Sequence, residues 1–455
     1  MYTGVIYFML ILLTGFSSVK ENANTQRDIP CGECDYIVQG YHNNGKKLNI
    51  RPGQVICFDA TVPYEKIFFS HINGTKENPI IIRNCGGVAR ISSPGGFAVK
   101  FEQSSHFKFI GDGEPDSTYG LKLTTRSGFY LSLEKFTTDF EIARIEVAGA
   151  NKNGIGEGSG FAGIGIKTSP YIDCDLFSDS TRQAWIMRNV SVHHNYIHDT
   201  GGEGMYIGHG FYKGRIENKC TVKTYSHSIK GLRVHNNLIE NTGFDGMQIK
   251  NADEDCEIYN NTIRNYGCRN EGAHNEGLFI GKGVTGKIYN NFVDTGTGHG
   301  IQFQGMGNNQ IYNNVVINAG QDGFNGSGSK MGVYIPDGYF MIYNNTIYNS
   351  ARNGFVFYNN DGGKKIIKNN LVVRAGHKLT SKGAILDSSN NIFTQNTNAI
   401  MFRDTLGADL RLLKGSPAID AGVDMSRYQP DNLFDCEKNV RPRGNGYDIG
   451  AYEIE

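Results

Sequence analysis

Glu203, Asp245, Glu276 and His299 each stand directly before the Gly of one recurring phrase. The copies read Gly202-Glu203-Gly204-Met205-Tyr206-Ile207, Phe244-Asp245-Gly246-Met247-Gln248-Ile249, Asn275-Glu276-Gly277-Leu278-Phe279-Ile280 and Gly298-His299-Gly300-Ile301-Gln302-Phe303. If the copies stack as neighbouring strands, equivalent side chains form one column at intervals of about 5 Å. Carboxylates so placed repel by about 1 kcal/mol per neighbouring pair even in water, and more where water is excluded. Relief comes from a bound cation, a raised pKa or solvent. The first two are chemistry, namely cation binding and general acid or base catalysis; acids that only cap solvated turns need neither.

The alternation of the phrase gives the column its neighbours. With Met205, Met247, Leu278 and Ile301 facing inward, Tyr206, Gln248, Phe279, Gln302 and Tyr334 face outward. Two positions later come Gly208, Lys250, Gly281, Gln304 and Pro336, with Lys167 on an earlier copy and Lys282 and His209 one step further. Such a face offers hydrogen-bonding groups, rings to stack on, and a lysine with room around it. It suits an extended oligosaccharide.

The elements that must carry these residues are set by a second phrase. An apolar residue, any residue, a polar residue and Asn recur eight times, with the last Asn at 195, 237, 261, 291, 314, 345, 370 and 391. Between the polar insertions the period is roughly 21–25 residues, the range of solenoids. Strict alternation between Asn and Gly corners predicts short strands with one face buried, and no useful length keeps a helical period. Asn tolerates the left-handed conformation and Gly takes positive φ freely, so both serve as corners. Coils this small bury their inner side chains only by stacking on copies of themselves. The expected fold is all-β, a right-handed parallel β-helix solenoid with N-terminal and C-terminal caps.

Over about 189–391 the repeats resemble the right-handed parallel β-helix superfamily of pectate, alginate and chondroitin lyases and related secreted bacterial carbohydrate-active proteins. The resemblance implies a polysaccharide or oligosaccharide partner. Asp245 with Lys250 five residues on is similar to the acid-then-Lys arrangement of the β-helix lyases. That likeness implies Ca²⁺ held by Glu203, Asp245 and Glu276, Lys250 as base, and His299 or Tyr334 as acid, with Tyr206, Gln248, Gln302, Lys167 and Lys282 binding substrate. The reaction would be β-elimination from a uronate-containing polysaccharide; the longer signature strings of those lyases are absent. Two alternatives stay open: a glycoside hydrolase using paired carboxylates on neighbouring coils, and a non-catalytic carbohydrate-binding or adhesin-like β-helix.

Lys plus Arg and Asp plus Glu number 45 each among 455 residues. This balance lacks the basic footprint that nucleic acid demands. Val5 to Phe16 form an apolar run followed by Ser17 and Ser18. That run has the length of a signal-peptide core and is shorter than the ~20 residues of a membrane span. Residues 1–20 are therefore expected as a signal peptide of an exported, extracellular or periplasmic protein, with no stable membrane span after processing and a monomeric mature chain. Residues 27–75 are expected as the N-terminal cap, 76–395 as the parallel β-helix and 396–455 as the C-terminal cap.

The chain has nine Cys, an odd number. Cys31 and Cys34 lack a second metal-spaced pair and are expected in a structural disulfide, with Cys57 or Cys85 as partner. Cys256 and Cys268 either bridge or pack. Insertions at 168–185, 211–229, 265–275 and 321–330 are expected to wall a binding face. Trp185, in the first of them, either stacks on sugar or packs.

Overall fold

Each short alternating segment pairs with the equivalent segment one repeat away rather than with its neighbour in sequence. In the computed structural model residues 31–454 are described, apart from 114–116, 170–177, 179, 217–219, 327–334, 358–362, 382–385, 427 and 429–433. One coil runs through Cys256–Tyr259, Thr262–Tyr266 and Leu278–Lys282; the next runs through Gly286–Tyr289, Phe292–Gly296 and Ile301–Gly305. All three pairs of strands are parallel. Repetition builds three long sheets of fourteen, eleven and twelve strands, called here A, C and B in the order a coil visits them. This is a right-handed parallel β-helix, as the repeats predict.

The inward residues stack by kind. Ile258, Ile288, Ile311, Ile342 and Ile367 line sheet A, while Ile263, Val293, Val316 and Ile347 line sheet C, all 0 % exposed. Burial of each such side chain contributes roughly 1.5–3 kcal/mol.

The two Asn of the repeated phrase do different work. The first takes the left-handed conformation, with φ of 55° at Asn236, 54° at Asn260, 54° at Asn290 and 53° at Asn313. The second turns inward and forms a ladder: Nδ2 of Asn291 donates to Ile258 O at 2.9 Å and to Asn314 Oδ1 at 3.0 Å. The same linkage joins Asn195, Asn237, Asn261, Asn345, Asn370 and Asn391. The buried corner is thereby satisfied without water.

The Gly that follows each acid has its own reason. A Cβ on Gly246 would lie 2.3 Å from Ile263 Cγ2, and one on Gly277 would lie 2.4 Å from Val293 Cγ1. Sheet C crowds the corner, so only Gly fits, and the residue before it is pressed into the wall.

Residues 27–75, expected as a cap, hold four strands that already belong to the solenoid: Tyr36–Ile37, His42–Asn44, Val55–Asp59 and Ile67–Ser70 pair in parallel within sheets A and B. These coils lack the Asn phrase because the ladder starts only at Asn195; stacked rings of Phe69, Phe101, Phe107 and Phe140 fill the interior instead. Two disulfides fasten this end, Cys31–Cys85 and Cys34–Cys57. Cys256 and Cys268 do not bridge, and Cys256 packs in the core.

The segment after Asn391 folds back along the outside. The antiparallel pair Phe402–Asp404 and Asp409–Leu412 packs Phe402, Leu410 and Leu412 on Val315, Ile317, Leu371 and Val373 of the outer face of sheet C. Asn313 and Asn369 donate to the carbonyls of Phe434 and Val423, and a fully buried Arg441–Glu453 ion pair at 2.6 Å closes the tail. Asp448 accepts the N–H groups of Asp420 and Ile454. Among the described residues no helix is long and apolar enough to cross a membrane. The expected signal peptide lies outside the described residues.

Candidate active site

Register decides which residues meet. Met205 pairs with Met247, Met247 with Leu278, Leu278 with Ile301, and Ile301 with Phe324. The residues two positions earlier, Glu203, Asp245, Glu276, His299 and Asp322, therefore share one column on consecutive coils. The sequence predicts the first four. The structure adds Asp322, where Asp322-Gly323-Phe324 repeats the phrase in shortened form.

The column is not a solvated turn. Glu203 is 1 % exposed, Asp245 0 % and Glu276 2 %. A row of rings flanks it: Phe129 to Phe161 at 5.6 Å between centroids, Phe161 to Phe244 at 5.9 Å and Phe244 to His274 at 5.4 Å. Gln248 Nε2 donates to Asp245 Oδ2 at 3.0 Å and to Glu203 Oε1 at 3.5 Å. Asp245 Oδ1 accepts the N–H of Glu276 at 2.9 Å, and Glu276 Oε2 accepts the N–H of Asn275 at 3.1 Å. Glu203 Oε2 is buried without a hydrogen-bond partner among the described residues.

Burial pushes Glu203 up to about 6. Asp245 is raised well above the ordinary carboxylate range, first by burial and then by the neighbouring Glu276 and Glu203. Desolvation and like charge act in the same direction here. At the far end of the column the balance reverses. Burial would raise Asp322, but hydrogen bonds from His299, Asn325 and Asn353 outweigh it and lower the carboxyl. His299 Nδ1 lies 3.2 Å from Asp322 Oδ2.

Lys250 lies on the outer face of sheet B. Its Nζ sits 5.6 Å from the ring centroid of Tyr206 and 5.3 Å from that of Phe279. Room comes from two glycines, since a Cβ on Gly281 would be 2.5 Å from Lys250 Cγ and one on Gly208 would be 2.1 Å from its carbonyl oxygen. Among the described residues the ammonium has neither a hydrogen bond nor an ion pair. Burial lowers its pKa, against the pull of Asp245 and Glu203.

The remaining expected residues divide. Tyr206, Gln248, Phe279 and Gln302 share one column. Gln248 is 2 % exposed and turned to the acids, and Gln302 is 5 % exposed, with Nε2 3.5 Å from Asn325 Oδ1. Both are turned to polar groups of the wall, whereas Tyr206 and Lys282 are partly exposed. Lys167 is engaged by Glu134 at 3.2 Å and lies 3.8 Å over the Phe129 ring. Tyr334 lies outside the described residues. The insertion at 211–229 does wall this face: Tyr212 lies against Gly283, donates to Met306 Sδ at 2.8 Å and carries the Arg182 guanidinium at 4.2 Å. Trp185 packs, edge-on to His227 at 4.3 Å and Phe136 at 5.3 Å.

The donors that converge differ from the expected cation set. One ligand atom each of Glu203, Asp245 and His274 lie within 4.8 Å of one another. His274 takes the place expected of Glu276. It arrives on the 265–275 insertion, which is pinned to the preceding coil by the N–H groups of Gly267, Cys268 and Arg269. No local pattern in the sequence marks it. Ca²⁺ takes six to eight oxygens, so a set of two carboxylates and an imidazole does not suit it.

The fold and column together define a parallel β-helix protein with a buried acid row beside a lysine-bearing face. Among solved structures the chain is similar to an alginate lyase from Paenibacillus sp. str. FPU-7 (15 % identity, TM-score 0.42, covering 78 % of this chain and 99 % of that one). It is also similar to a GH136 lacto-N-biosidase from Eubacterium ramulus (13 %, TM-score 0.49, 80 % and 68 %) and to pectate lyase Pel9A (15 %, TM-score 0.38, 93 % and 97 %). The likeness is one of fold. No protein-family model matches the sequence, and no curated protein matches it.

Proposed function

We propose that this protein is a polysaccharide-active enzyme that cleaves a uronate-containing chain by β-elimination on the outer face of sheet B. The observation that carries the reading is Lys250, an ammonium with no ion pair among the described residues, lowered by burial and set between Tyr206 and Phe279. A lysine depressed in this way is a competent base nearer neutral pH. Lys250 takes the C5 proton, the electron pair of that bond becomes the C4–C5 double bond, and the bond from C4 to the glycosidic oxygen breaks. His299 gives the departing oxygen its proton. Lys282 faces the uronate carboxylate, and the withdrawal of charge makes C5–H more acidic. In this proposal residues 1–20 direct export and the mature chain works as a monomer.

One observation favours hydrolysis instead. Glu203, held at about 6, stays largely protonated under mildly acidic conditions beside a second carboxyl group, as a general acid must. The two reactions leave different products. Purified protein is incubated with a panel of uronate polysaccharides, following the ultraviolet absorbance of the new double bond and, separately, new reducing ends. Elimination raises both signals, and Lys250→Ala abolishes both. Reducing ends without the double bond would replace elimination by hydrolysis, and neither signal on acidic or neutral glycans would leave a binding protein.

A further inference from the structure

We infer that Glu203, Asp245 and His274 form a binding site for one divalent transition cation of the Zn²⁺ class. The site is compatible with elimination at Lys250, whereas a Glu203 bound to a cation cannot also be the protonated acid of the hydrolytic reading. Three observations meet there. The ligand atoms of the three residues lie within 4.8 Å of one another. Glu203, 1 % exposed, has a buried Oε2 with no hydrogen-bond partner among the described residues, although a carboxylate oxygen withdrawn from water ordinarily has one. Asp245, 0 % exposed, has Oδ1 taken by the N–H of Glu276 and Oδ2 by Gln248, and Gln248 also reaches Glu203, so the two acids are fixed relative to each other. Donors oriented from behind in this manner are what a metal centre requires.

The two sides of the site differ in rigidity. Its floor consists of residues on consecutive, hydrogen-bonded coils of sheet B. Its roof is an exposed imidazole on the 265–275 insertion, resting 5.4 Å from the Phe244 ring. A tetrahedral cation with bonds of about 2.1 Å holds its donors about 3.4 Å apart, so the three ligand atoms, within 4.8 Å of one another, close on the ion chiefly by a swing of the exposed His274. The exposed side leaves a position for water or a substrate oxygen, the arrangement of three protein ligands and one open place found in catalytic zinc sites. The imidazole sets the choice of metal, because nitrogen suits borderline transition cations whereas Ca²⁺ and Mg²⁺ take oxygen. A cation here also balances the charge of carboxyl groups stacked on three coils.

The test measures metal directly and needs no substrate. The full chain is stripped with chelator, dialysed against Zn²⁺, Mn²⁺ or Ca²⁺, and its bound metal determined by elemental analysis and titration calorimetry. One Zn²⁺ per chain is expected, with Ca²⁺ at least ~100-fold weaker. His274→Ala and Glu203→Gln are each expected to weaken Zn²⁺ by at least ~100-fold. His274 is exposed, so its alanine variant keeps the circular dichroism and metal-free melting temperature of the parent. Co²⁺ loaded in place of Zn²⁺ gives visible absorption bands that His274→Ala shifts or removes. Absence of bound metal, equal affinity for Ca²⁺, or Zn²⁺ binding unchanged by His274→Ala each overturns the site. Loss of elimination activity with metal binding intact counts against the proposed reaction alone.

Discussion

The backbone N–H of Glu276 donates to Asp245 Oδ1 at 2.9 Å, so the main chain of one coil holds the buried acid of the coil before it. Gln248 holds the other oxygen at 3.0 Å and reaches Glu203 as well. The acid column is therefore built by register, and its geometry is set by one amide. Gln248→Leu keeps the volume and removes the donor. It is expected to cost about 1–3 kcal/mol of unfolding free energy in urea, because two buried carboxyl oxygens lose a partner. Gln248→Glu is expected to cost more, since it adds another acid to the group. If both variants are as stable as the parent, Gln248 does not orient the column.

Lys250 separates chemistry from stability. Lys250→Ala is expected to lower kcat on a cleaved uronate polymer by ~10²–10⁴-fold with an unchanged melting temperature, since the side chain makes no hydrogen bond or ion pair among the described residues. Lys250→Arg is not expected to rescue, because a guanidinium stays protonated and cannot act as base near neutral pH. Steady-state kinetics and calorimetry on the same preparations check both halves of the expectation. An active arginine variant would remove Lys250 from the base role.

The Asn ladder should behave as structure only. Asn291 is 1 % exposed; its Nδ2 donates twice and its Oδ1 accepts from both the N–H and the Nδ2 of Asn261. Asn291→Ala is expected to destabilise by about 1–3 kcal/mol with kcat unchanged. The adjacent Asn290 carries the left-handed turn at φ 54°. Asn290→Gly should therefore be nearly neutral in the same denaturation assay, and Asn290→Val should cost about 1–2 kcal/mol.

Stability should rise and then fall with pH. Hydrogen bonds from His193 and Lys108 hold Glu141 down to about 2, and those from His198 and Lys122 hold Glu146 at about 2, each against burial. A carboxyl lowered in the folded state contributes stability above its unfolded value, which is lost as pH falls from about 4.5 through about 2. Glu203 has the opposite sign. Raised to about 6 by burial, it favours folding while protonated and loses that contribution as pH rises from about 4.5 through about 6. Metal-free protein should thus show a stability maximum between the two limbs. Glu203→Gln should reduce the upper limb, to which the raised Asp245 also contributes, and leave the lower one, as denaturant midpoints across pH will show.

The sequence by itself determined the solenoid, because its requirements are local. Asn290 must take positive φ, Asn291 must fill the ladder, and Gly277 must admit Val293, and each condition restricts residue type at a fixed place in a short period. The column of Glu203, Asp245, Glu276 and His299 could be read for the same reason, since register in a stacked coil follows from counting between glycines.

Only the tertiary structure decided the rest. Whether an acid before a corner Gly meets water depends on what covers it; here Phe244, His274 and the crowded sheet C corner leave Asp245 at 0 % exposure. His274 comes from an aperiodic insertion whose path is fixed by contacts with the preceding coil. Lys167 occupies the same outward column as Lys250, yet Glu134 on the neighbouring strand engages it. Lys250 has no such partner among the described residues, because Gly208 and Gly281 flank it. Spacing along one chain fixes which column a residue joins, whereas the charge opposite it and the loop above it come from segments that the period does not describe.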